Sequence, residues 1–324
     1  MNAIHLTGFG GFDSLRLTEV SKPAPAEGEV LVKVRAAGIN YAELEQTRGC
    51  YPFQKALPGI MGFEAAGDVV ELGPAVSNLR IGEKIAGLAS SGGYAEYATI
   101  RADLAIPIPE NVSYAQATSI VEQGISAYAL LKLAAQPQRK ETLLIQAAAG
   151  GVGLYLVQLA KLLGAGRVIA LAGSDSKLDV LRSLGADFAI NYSLPDWSQR
   201  VQEVTGGRGV DIVLEMASGD VAKTSLKLLA PFGRIVIFGA KNVEDTILPE
   251  QVAQIIRNNQ RVIGFNLPAL NPVDVMQCVP DLLRLISDGK VKIFADTAFP
   301  LARAREAFEA IASRRTVGKV VLVP

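Results

Sequence analysis

A glycine-rich segment, residues 147–153, carries the clearest chemical signal in this sequence. It reads Ala-Ala-Ala-Gly-Gly-Val-Gly, follows the apolar run 142–146 and precedes a helical pattern that starts at Leu154. Glycines let the backbone approach phosphate groups, and the start of a helix offers unpaired N–H groups and the positive end of its dipole. The order of strand, glycine turn and helix therefore predicts a site for a dinucleotide pyrophosphate. The residues expected to hold it are Ala149, Gly150, Gly151, Val152 and Gly153.

The end of the next strand indicates which dinucleotide is bound. An acidic residue at this point binds the ribose 2′-hydroxyl of NAD, but here the strand ends in Ala172-Gly173 without a carboxylate. A 2′-phosphate would meet no repulsion, and Ser174 and Lys177 could supply a hydroxyl and a charge to it. NADPH is therefore favoured over NADH. Two alternatives stay open, because Asp175 could face the same site and Lys177 could be an ordinary solvated lysine.

The first part of the chain is predicted to form a β-rich domain. Valine and leucine alternate with charged residues in 29–36, which is the period-two pattern of a half-buried strand. Glycine, proline and asparagine separate this segment from further strands. The other strands predicted in this part are 65–72, 84–88 and 94–100.

After residue 122 strands alternate with helices. Apolar residues recur at helical spacing in 174–184 and 221–229. The strands predicted in this part are 142–147, 167–172, 187–191, 210–215, 233–239 and 260–264. Such alternation predicts right-handed crossovers and a doubly wound parallel sheet of the Rossmann type, in the α/β class.

The tail of the chain changes character again. Amphipathic helices are predicted over 273–289 and 301–313, and a strand over 319–323. We assign this tail mainly to the first domain, which makes the cofactor domain an insertion. The predicted domains are thus residues 1–121 with 265–324, and residues 122–264.

Composition restricts the possible partners and compartments. Lysine plus arginine total 32 and aspartate plus glutamate total 32, so no net charge attracts nucleic acid or an anionic membrane. The two cysteines, Cys50 and Cys278, have no metal-binding or redox spacing. No signal or transit segment is recognisable at the start. We expect a cytoplasmic protein.

Six motifs follow one another along the chain. They are Ala37-Gly38-Ile39-Asn40-Tyr41, Gly49-Cys50-Tyr51-Pro52, Pro58-Gly59-Ile60-Met61-Gly62-Phe63-Glu64, Gly92-Gly93-Tyr94-Ala95-Glu96-Tyr97, the glycine turn, and Gly318-Lys319-Val320-Val321-Leu322. With these motifs in this order, the chain resembles the zinc-independent quinone oxidoreductases of the medium-chain dehydrogenase/reductase superfamily. That family includes proteins similar to zeta-crystallin and the enoyl reductase domains of polyketide synthases, and the resemblance covers nearly the whole chain. It implies a GroES-like β-rich substrate domain that contains the Rossmann domain.

The resemblance implies two catalytic residues. Asn40 is expected near the nicotinamide and the substrate oxygen, since an amide both donates and accepts hydrogen bonds. Tyr51 lies at the tyrosine position that is assigned as the proton donor in related enoyl-thioester reductases. A turn asparagine and an aromatic residue packed at the mouth of the site are the alternatives for Asn40 and Tyr51.

Further cofactor contacts follow from the same resemblance. Ser126 replaces a threonine that commonly touches the nicotinamide, and Tyr192 matches a tyrosine near the 2′-phosphate. Two segments end strands on the carboxyl side of the sheet, where ligands bind in such folds, although either could be core. The additional residues expected at the cofactor, besides Asn40, are Gly173, Phe238, Gly239, Ala240, Phe265, Asn266, Leu267 and Lys319.

The metal-binding positions of zinc-dependent relatives are not retained. Asn40 lies where those relatives have a cysteine ligand, and Phe63 replaces the histidine. Glu64 remains, and we interpret it as a structural residue because a lone carboxylate cannot hold zinc. Hydride addition to a conjugated acceptor needs no Lewis acid, because the developing charge spreads onto an enolate or hydroquinone oxygen.

These observations predict an NADPH-dependent reductase of quinones or α,β-unsaturated carbonyl compounds. An enoyl-thioester reductase acting on a carrier-bound chain, excised from a polyketide synthase, is the alternative, and a non-catalytic NADPH-binding protein of the crystallin type is another. Glu45 and Glu122 add carboxylates near the predicted site, and if these point inward a neutral quinone is accepted more easily than an acidic substrate. The last strand of the cofactor domain, near 261–265, is a possible edge for a homodimer.

Overall fold

The computed structural model describes residues 1–52, 56–239, 247 and 249–324. Within them the chain divides into two compact units. The β unit consists of Met1–Gly124 and Ile293–Pro324, and the α/β unit consists of Ile125–Lys292. In the part of the chain that is described, no helix has both the length and the apolar character needed to cross a membrane.

The first segment of the β unit is built mainly of strands. Strand β3 is the longest of these, and it pairs antiparallel with both β5 and β7. The elements are β1 (Asn2–Leu6), β2 (Leu15–Glu19), β3 (Glu29–Ile39), α1 (Tyr41–Thr47), β4 (Gly59–Ile60), β5 (Glu64–Leu72), β6 (Lys84–Leu88), β7 (Tyr97–Arg101), β8 (Ile106–Pro107) and α2 (Tyr114–Ser119).

The α/β unit alternates strands and helices, as predicted. Its elements are α3 (Ile125–Ala129), β9 (Thr142–Ile145), α4 (Gly151–Leu162), β10 (Arg167–Ala172), α5 (Leu178–Ser183), β11 (Phe188–Asn191), α6 (Trp197–Val204), β12 (Val210–Glu215), α7 (Gly219–Lys227), β13 (Leu229–Phe238), α8 (Pro249–Arg257), β14 (Arg261–Phe265) and α9 (Pro272–Ser287).

The last segment returns to the β unit and completes its sheet. Its elements are β15 (Thr297–Pro300), α10 (Ala304–Ala312) and β16 (Val320–Val323). The main sheet has the order β15-β16-β3-β5-β6-β8, and a smaller sheet has the order β2-β1-β4. Phe308 of α10 and Ile39 of β3 belong to one buried apolar cluster of this unit, which ties the last segment to the first.

Strands of the α/β unit form one parallel sheet in the order β11-β10-β9-β12-β13-β14. From the neighbouring strands β9 and β12, the chain adds β10 and β11 on one side and β13 and β14 on the other. The strand order thus reverses between β9 and β12, which is the doubly wound Rossmann arrangement. The apolar sequences of these strands fit the arrangement, because helices cover both faces of such a parallel sheet and the strand side chains are buried on both faces. All four residues of β9 are buried. The predicted fold class is confirmed.

Helix α9 lies in the α/β unit, whereas the sequence analysis assigned residues 265–324 to the first domain. The helix packs against α3, and the Tyr128 hydroxyl of α3 donates a hydrogen bond to the Asp281 carboxylate at 3.1 Å. Leu282 and Ile286 bury its apolar face. The structure therefore differs from that expectation, since the chain leaves the α/β unit only after Lys292.

Candidate active site

A buried ion pair lies at the centre of the polar cluster in the β unit. Lys319 and Glu64 have no solvent-exposed surface, and the lysine Nζ contacts the carboxylate Oε1. Strand pairing produces this contact, because Gly38 of β3 lies opposite both Glu64 and Val321. A Cβ atom on Gly38 would overlap both charged side chains. Glycine is thus required at this position by the pair itself.

Asn40 joins the ion pair through both ends of its amide. Its Nδ2 donates to Glu64 Oε1 at 3.0 Å, and its Oδ1 accepts from Lys319 Nζ at 2.7 Å and from Gln123 Nε2 at 3.4 Å. Since Lys319 can only donate and the Glu64 carboxylate only accepts, these partners determine which way the amide points. The described contacts use one of its two N–H hydrogens, so the other is available for a bound oxygen.

Glu43 forms a second buried carboxyl group beside Asn40. Its Oε2 accepts from the Asn40 backbone N–H at 2.8 Å, as in the capping box of a helix N-terminus, and its Oε1 accepts from the Phe63 N–H at 2.7 Å. Burial raises the pKa of Glu43 to about 7, and the charge of Glu64 adds to the effect. Burial and the charge of Glu43 in turn raise the pKa of Tyr94.

Glu122 is the third carboxylate of the cluster. It lies in a π-helical turn, Ile120–Gly124, and its backbone N–H donates to Glu64 Oε2 at 3.1 Å. Burial raises the pKa of Glu122 to about 8, the nearby charge of Glu64 contributes further, and Lys319 acts in the opposite direction. Burial and the charge of Glu64 both favour the protonated form of the Glu122 carboxyl group over the carboxylate.

Tyr51 lies in the same unit and is half-buried. Its ring is 5.6 Å from the ring of Phe63, centroid to centroid, with 39° between the planes. Burial raises the pKa of Tyr51, and the charges of Glu122 and Glu43 raise it further. Both predicted catalytic residues, Asn40 and Tyr51, are therefore neighbours of the same acidic cluster.

The glycine turn has the geometry expected for a phosphate site in the α/β unit. Gly150 precedes α4 with φ −79° and ψ 171°, so the helix begins at Gly151, earlier than the pattern from Leu154 predicted. No side chain caps this helix start and no acidic residue lies in its first turn. A Cβ on Gly153 would come within 2.6 Å of the Ala147 carbonyl oxygen, so the helix packs closely on the turn.

Tyr192 lies at the carboxyl end of β10, and Ser174 and Lys177 follow that end along the chain. A Cβ on Gly173 would lie 3.1 Å from the Tyr192 hydroxyl, which places that hydroxyl beside the end of the strand. Lys177 ends the short turn Asp175–Lys177 that begins just after Ser174. The Asp175 carboxylate accepts a hydrogen bond from Asn191 Nδ2 at 3.1 Å, so it already has a protein partner.

The remaining predicted contacts lie at two adjacent strand ends and in α3. Phe238 and Phe265 pair directly in the parallel sheet, and Gly239 and Asn266 line one cleft together with Phe265. Leu267 begins the short helical turn after Asn266. Ser126 belongs to α3. Ala240 lies outside the described residues.

The structure thus sorts the predicted residues into two sets. Asn40, Tyr51 and Lys319 belong to the β unit, and the other described ones belong to the α/β unit. Sequence reasoning missed Glu43, Gln123 and the packing role of Gly38. The capping-box spacing Asn40-x-x-Glu43 was a usable signal for Glu43, whereas nothing local marked Gln123.

Two family models match the chain. The model described as "Alcohol dehydrogenase GroES-like domain" covers residues 26–110, and the one described as "Zinc-binding dehydrogenase" covers residues 151–288. The human synaptic vesicle membrane protein VAT-1 homolog is 30% identical over 342 residues, with all of this chain and 86% of that protein covered. A quinone oxidoreductase of Pseudomonas aeruginosa is 30% identical over 327 residues, with 99% of each covered.

Solved structures and a much longer relative extend the comparison. The Escherichia coli quinone oxidoreductase complexed with NADPH has a TM-score of 0.92 at 30% identity, and a mycobacterial protein complexed with NADPH has 0.91 at 31%; each pair is covered completely. A phenolphthiocerol/phthiocerol polyketide synthase of Mycobacterium tuberculosis is 30% identical over 314 residues, which are 97% of this chain but 14% of the synthase chain.

Fold, site and similarity together define a medium-chain dehydrogenase/reductase. Within this superfamily the chain belongs to the quinone oxidoreductase family, which includes the VAT-1-like proteins and the polyketide synthase enoyl reductases. The resemblance predicted from the six motifs is confirmed.

The residues at the former zinc position do not fit a catalytic zinc ion. Glu64, the one acidic group retained there, is paired with the ammonium group of Lys319, and Asn40 and Phe63 offer no thiolate or imidazole. Within the described ranges, no three histidine, cysteine, aspartate or glutamate side chains are arranged to hold a metal.

Proposed function

We propose that this chain is an NADPH-dependent reductase that transfers hydride to a quinone or an α,β-unsaturated carbonyl compound. The observation that carries the proposal is the end of β10, where the Tyr192 hydroxyl lies beside Gly173, Ser174 and Lys177 belong to the turn that follows, and Asn191 binds the Asp175 carboxylate. Its similarity to quinone oxidoreductases, and to two proteins solved with NADPH, supports the same conclusion.

The α/β unit offers the groups that would hold the cofactor. The uncapped start of α4 would bind the pyrophosphate through its N–H groups. Lys177 and Ser174 would bind the 2′-phosphate, with Tyr192 beside them. The residues Phe238, Gly239, Ala240, Phe265, Asn266 and Leu267, together with Ser126 and Asn40, remain proposed contacts. Lys319 has no solvent-exposed surface, so we propose that it acts through Asn40 and does not touch the cofactor itself. The bound cofactor would supply hydride to the acceptor.

Asn40 is the proposed group that binds the oxygen of the acceptor. Lys319 and Glu64 hold its amide in one orientation, so its remaining N–H is positioned before the acceptor arrives. A donor held in place needs no reorganisation as negative charge develops on that oxygen, and this lowers the barrier. Tyr51, the second proposed catalytic residue, offers a hydroxyl as a further donor.

The alternative function is reduction of a carrier-bound enoyl thioester. It is favoured by the match of this chain to a small part of a polyketide synthase. A non-catalytic NADPH-binding protein is the proposal of a different class. All three functions share the cofactor. The two reductase functions differ in their acceptor, and the non-catalytic function has no acceptor.

A binding measurement followed by stopped-flow oxidation of NADPH tests the proposal. We expect calorimetry to show tighter binding of NADPH than of NADH, and ortho-quinones or small enones to oxidise the bound cofactor. Turnover confined to crotonyl thioesters would favour the alternative function. Binding without turnover by any acceptor would favour the non-catalytic role, and no binding of either coenzyme would overturn all three.

We also propose that the edge strand β14 forms a homodimer. In the described part of the chain β13 is its only paired neighbour, and Val262 on it is 44% exposed. An open edge of this kind invites pairing with a second copy. Light scattering of the wild type and of Val262→Glu tests this: a dimer that becomes a monomer supports it, and a monomeric wild type overturns it. A cytoplasmic location likewise stays a proposal.

A further inference from the structure

Reduction of a quinone or an enone by hydride leaves an anion that must still take up a proton. The β unit contains three clustered carboxyl groups, Glu43, Glu64 and Glu122, and one ammonium group, Lys319. If all were ionised, the cluster would carry two uncompensated negative charges in a mostly buried environment. Such a cluster retains a proton more readily than isolated carboxylates do.

Glu64 cannot be the proton donor, because both oxygens of its carboxylate already accept from other groups. Oε1 receives Lys319 Nζ and Asn40 Nδ2, and Oε2 receives the backbone N–H of Glu122. Glu43 is also unsuitable. It is fully buried, and backbone N–H groups bind both of its oxygens. Neither carboxyl group has an open path to a substrate.

Glu122 differs from both in its surroundings. Its side chain is only partly buried, and its carboxyl group makes no hydrogen bond within the described part of the chain. The Glu64 carboxylate joins it to Asn40, since Oε1 binds the Asn40 amide at 3.0 Å while Oε2 binds the Glu122 N–H at 3.1 Å. Gln123, the next residue, contacts Asn40 Oδ1 at 3.4 Å. Glu122 is therefore anchored beside the proposed oxygen-binding amide.

We propose that Glu122 is the acid that protonates the reduced acceptor, an inference that rests on the proposed reductase function. The acceptor gains two electrons and one hydrogen with the hydride, and one proton from Glu122. The carboxyl O–H bond breaks as the new O–H or C–H bond of the product forms, and the resulting carboxylate regains its proton from water.

The surroundings of Glu122 suit this role. The titratable and charged groups that act on it are Glu64 of β5, Glu43 of α1, Lys319 before β16 and Tyr51 after α1. General acids work best when their pKa lies near the working pH, and that of Glu122 is about 8. The pKa of Tyr51 is raised above its ordinary value of 10, which makes its phenol a poorer acid at neutral pH.

The test compares Glu122→Gln with Glu122→Asp and with the matched surface control Glu110→Gln, which removes an exposed carboxylate of the same unit. Steady-state kcat is measured with the acceptor that the wild type reduces fastest, over a range from about pH 6 to pH 10. The wild type and Glu110→Gln are expected to lose activity above about pH 8. Glu122→Gln should be at least about tenfold slower at neutral pH, with a flat profile, and Glu122→Asp should recover part of the rate.

NADPH affinity, measured by calorimetry, serves as the check on folding and should stay within about twofold in every variant. A Glu122→Gln variant that binds NADPH normally and keeps either the wild-type rate or the wild-type decline above about pH 8 would overturn the inference. Absence of turnover by the wild type would instead overturn the proposed reductase function. The two failures are thus distinguishable.

Discussion

Lys319 and Glu64 form an ion pair in which neither side chain is exposed to solvent, although 255 positions of the 324-residue chain separate them. An isolated buried charge is costly, so each of these residues depends on the other and on Asn40. The pair gives the Glu64 carboxylate a structural partner, so its burial is explained without a bound metal ion. It also gives the amide of Asn40 a single orientation.

Replacing Lys319 with methionine should destabilise the protein strongly. The change leaves Glu64 buried without its counter-charge, and breaking such a pair costs about 3–5 kcal/mol. Urea titration should show this loss, and adding Glu64→Gln to Lys319→Met should recover part of it. Lys33→Met, at an exposed position of β3, is the control and should change the free energy of unfolding by less than about 0.5 kcal/mol. A small effect of Lys319→Met would contradict the role of the pair.

Gly38→Ala should also destabilise the β unit. The added methyl group would overlap the Glu64 carboxylate and the Lys319 side chain, which have little room to move. Overpacking of this kind costs about 1–3 kcal/mol. Gly8→Ala is the matched control, because a Cβ there meets no atom within 4 Å. Equal urea midpoints for the two variants would refute the packing argument.

The stability of the protein should fall as the pH rises from about 5 to about 7. Burial raises the pKa of Glu43 from 4.5 to about 7, so the folded protein holds this proton more tightly than the unfolded chain does. The stabilisation is complete below the unfolded pKa and is lost as the pH rises through the folded one. For Glu43 the effect is on the order of 3 kcal/mol.

Urea titrations at several pH values check this prediction. Glu43→Gln, which cannot ionise, should make the fall in stability shallower, although the variant is less stable at acidic pH. The fall that remains is assigned to Glu122, whose pKa burial also raises, to about 8. Glu96→Gln removes a carboxylate of the β unit that is not fully buried and should leave the slope as it is. A wild-type stability that rises over this pH range would show that Glu43 ionises normally.

Lys177→Ala should weaken the binding of NADPH much more than that of NADH. A hydrogen bond to a charged group contributes about 1.5–3 kcal/mol, so the dissociation constant for NADPH should rise roughly tenfold or more. Calorimetry with both coenzymes measures the difference. Lys227→Ala, at an exposed position of α7, is the control. An equal effect of Lys177→Ala on both coenzymes would argue against a phosphate contact.

The sequence alone was sufficient for the elements that carry their own local signal. Apolar strands, glycine turns and helical spacing predicted the Rossmann sheet, and the glycines at 150, 151 and 153 predicted the turn that leads into α4, although the helix begins at Gly151 and not at Leu154. Boundaries were less certain, because pairing partners determine where a strand ends. Strand β13 begins at Leu229, before the predicted residue 233, since Leu229 already pairs with Val210 of β12.

Only the tertiary structure decided how the acidic cluster is assembled. Glu64 was expected to be a structural residue and Lys319 a cofactor contact, and neither position reveals from the sequence that the two meet. Lys319 reaches Asn40 across 279 positions because β16 pairs with β3, and Gly38 leaves room for the contact. Local sequence determines helices, strands and turns through short-range sterics and burial, whereas long-range strand pairing determines which distant charges are buried together.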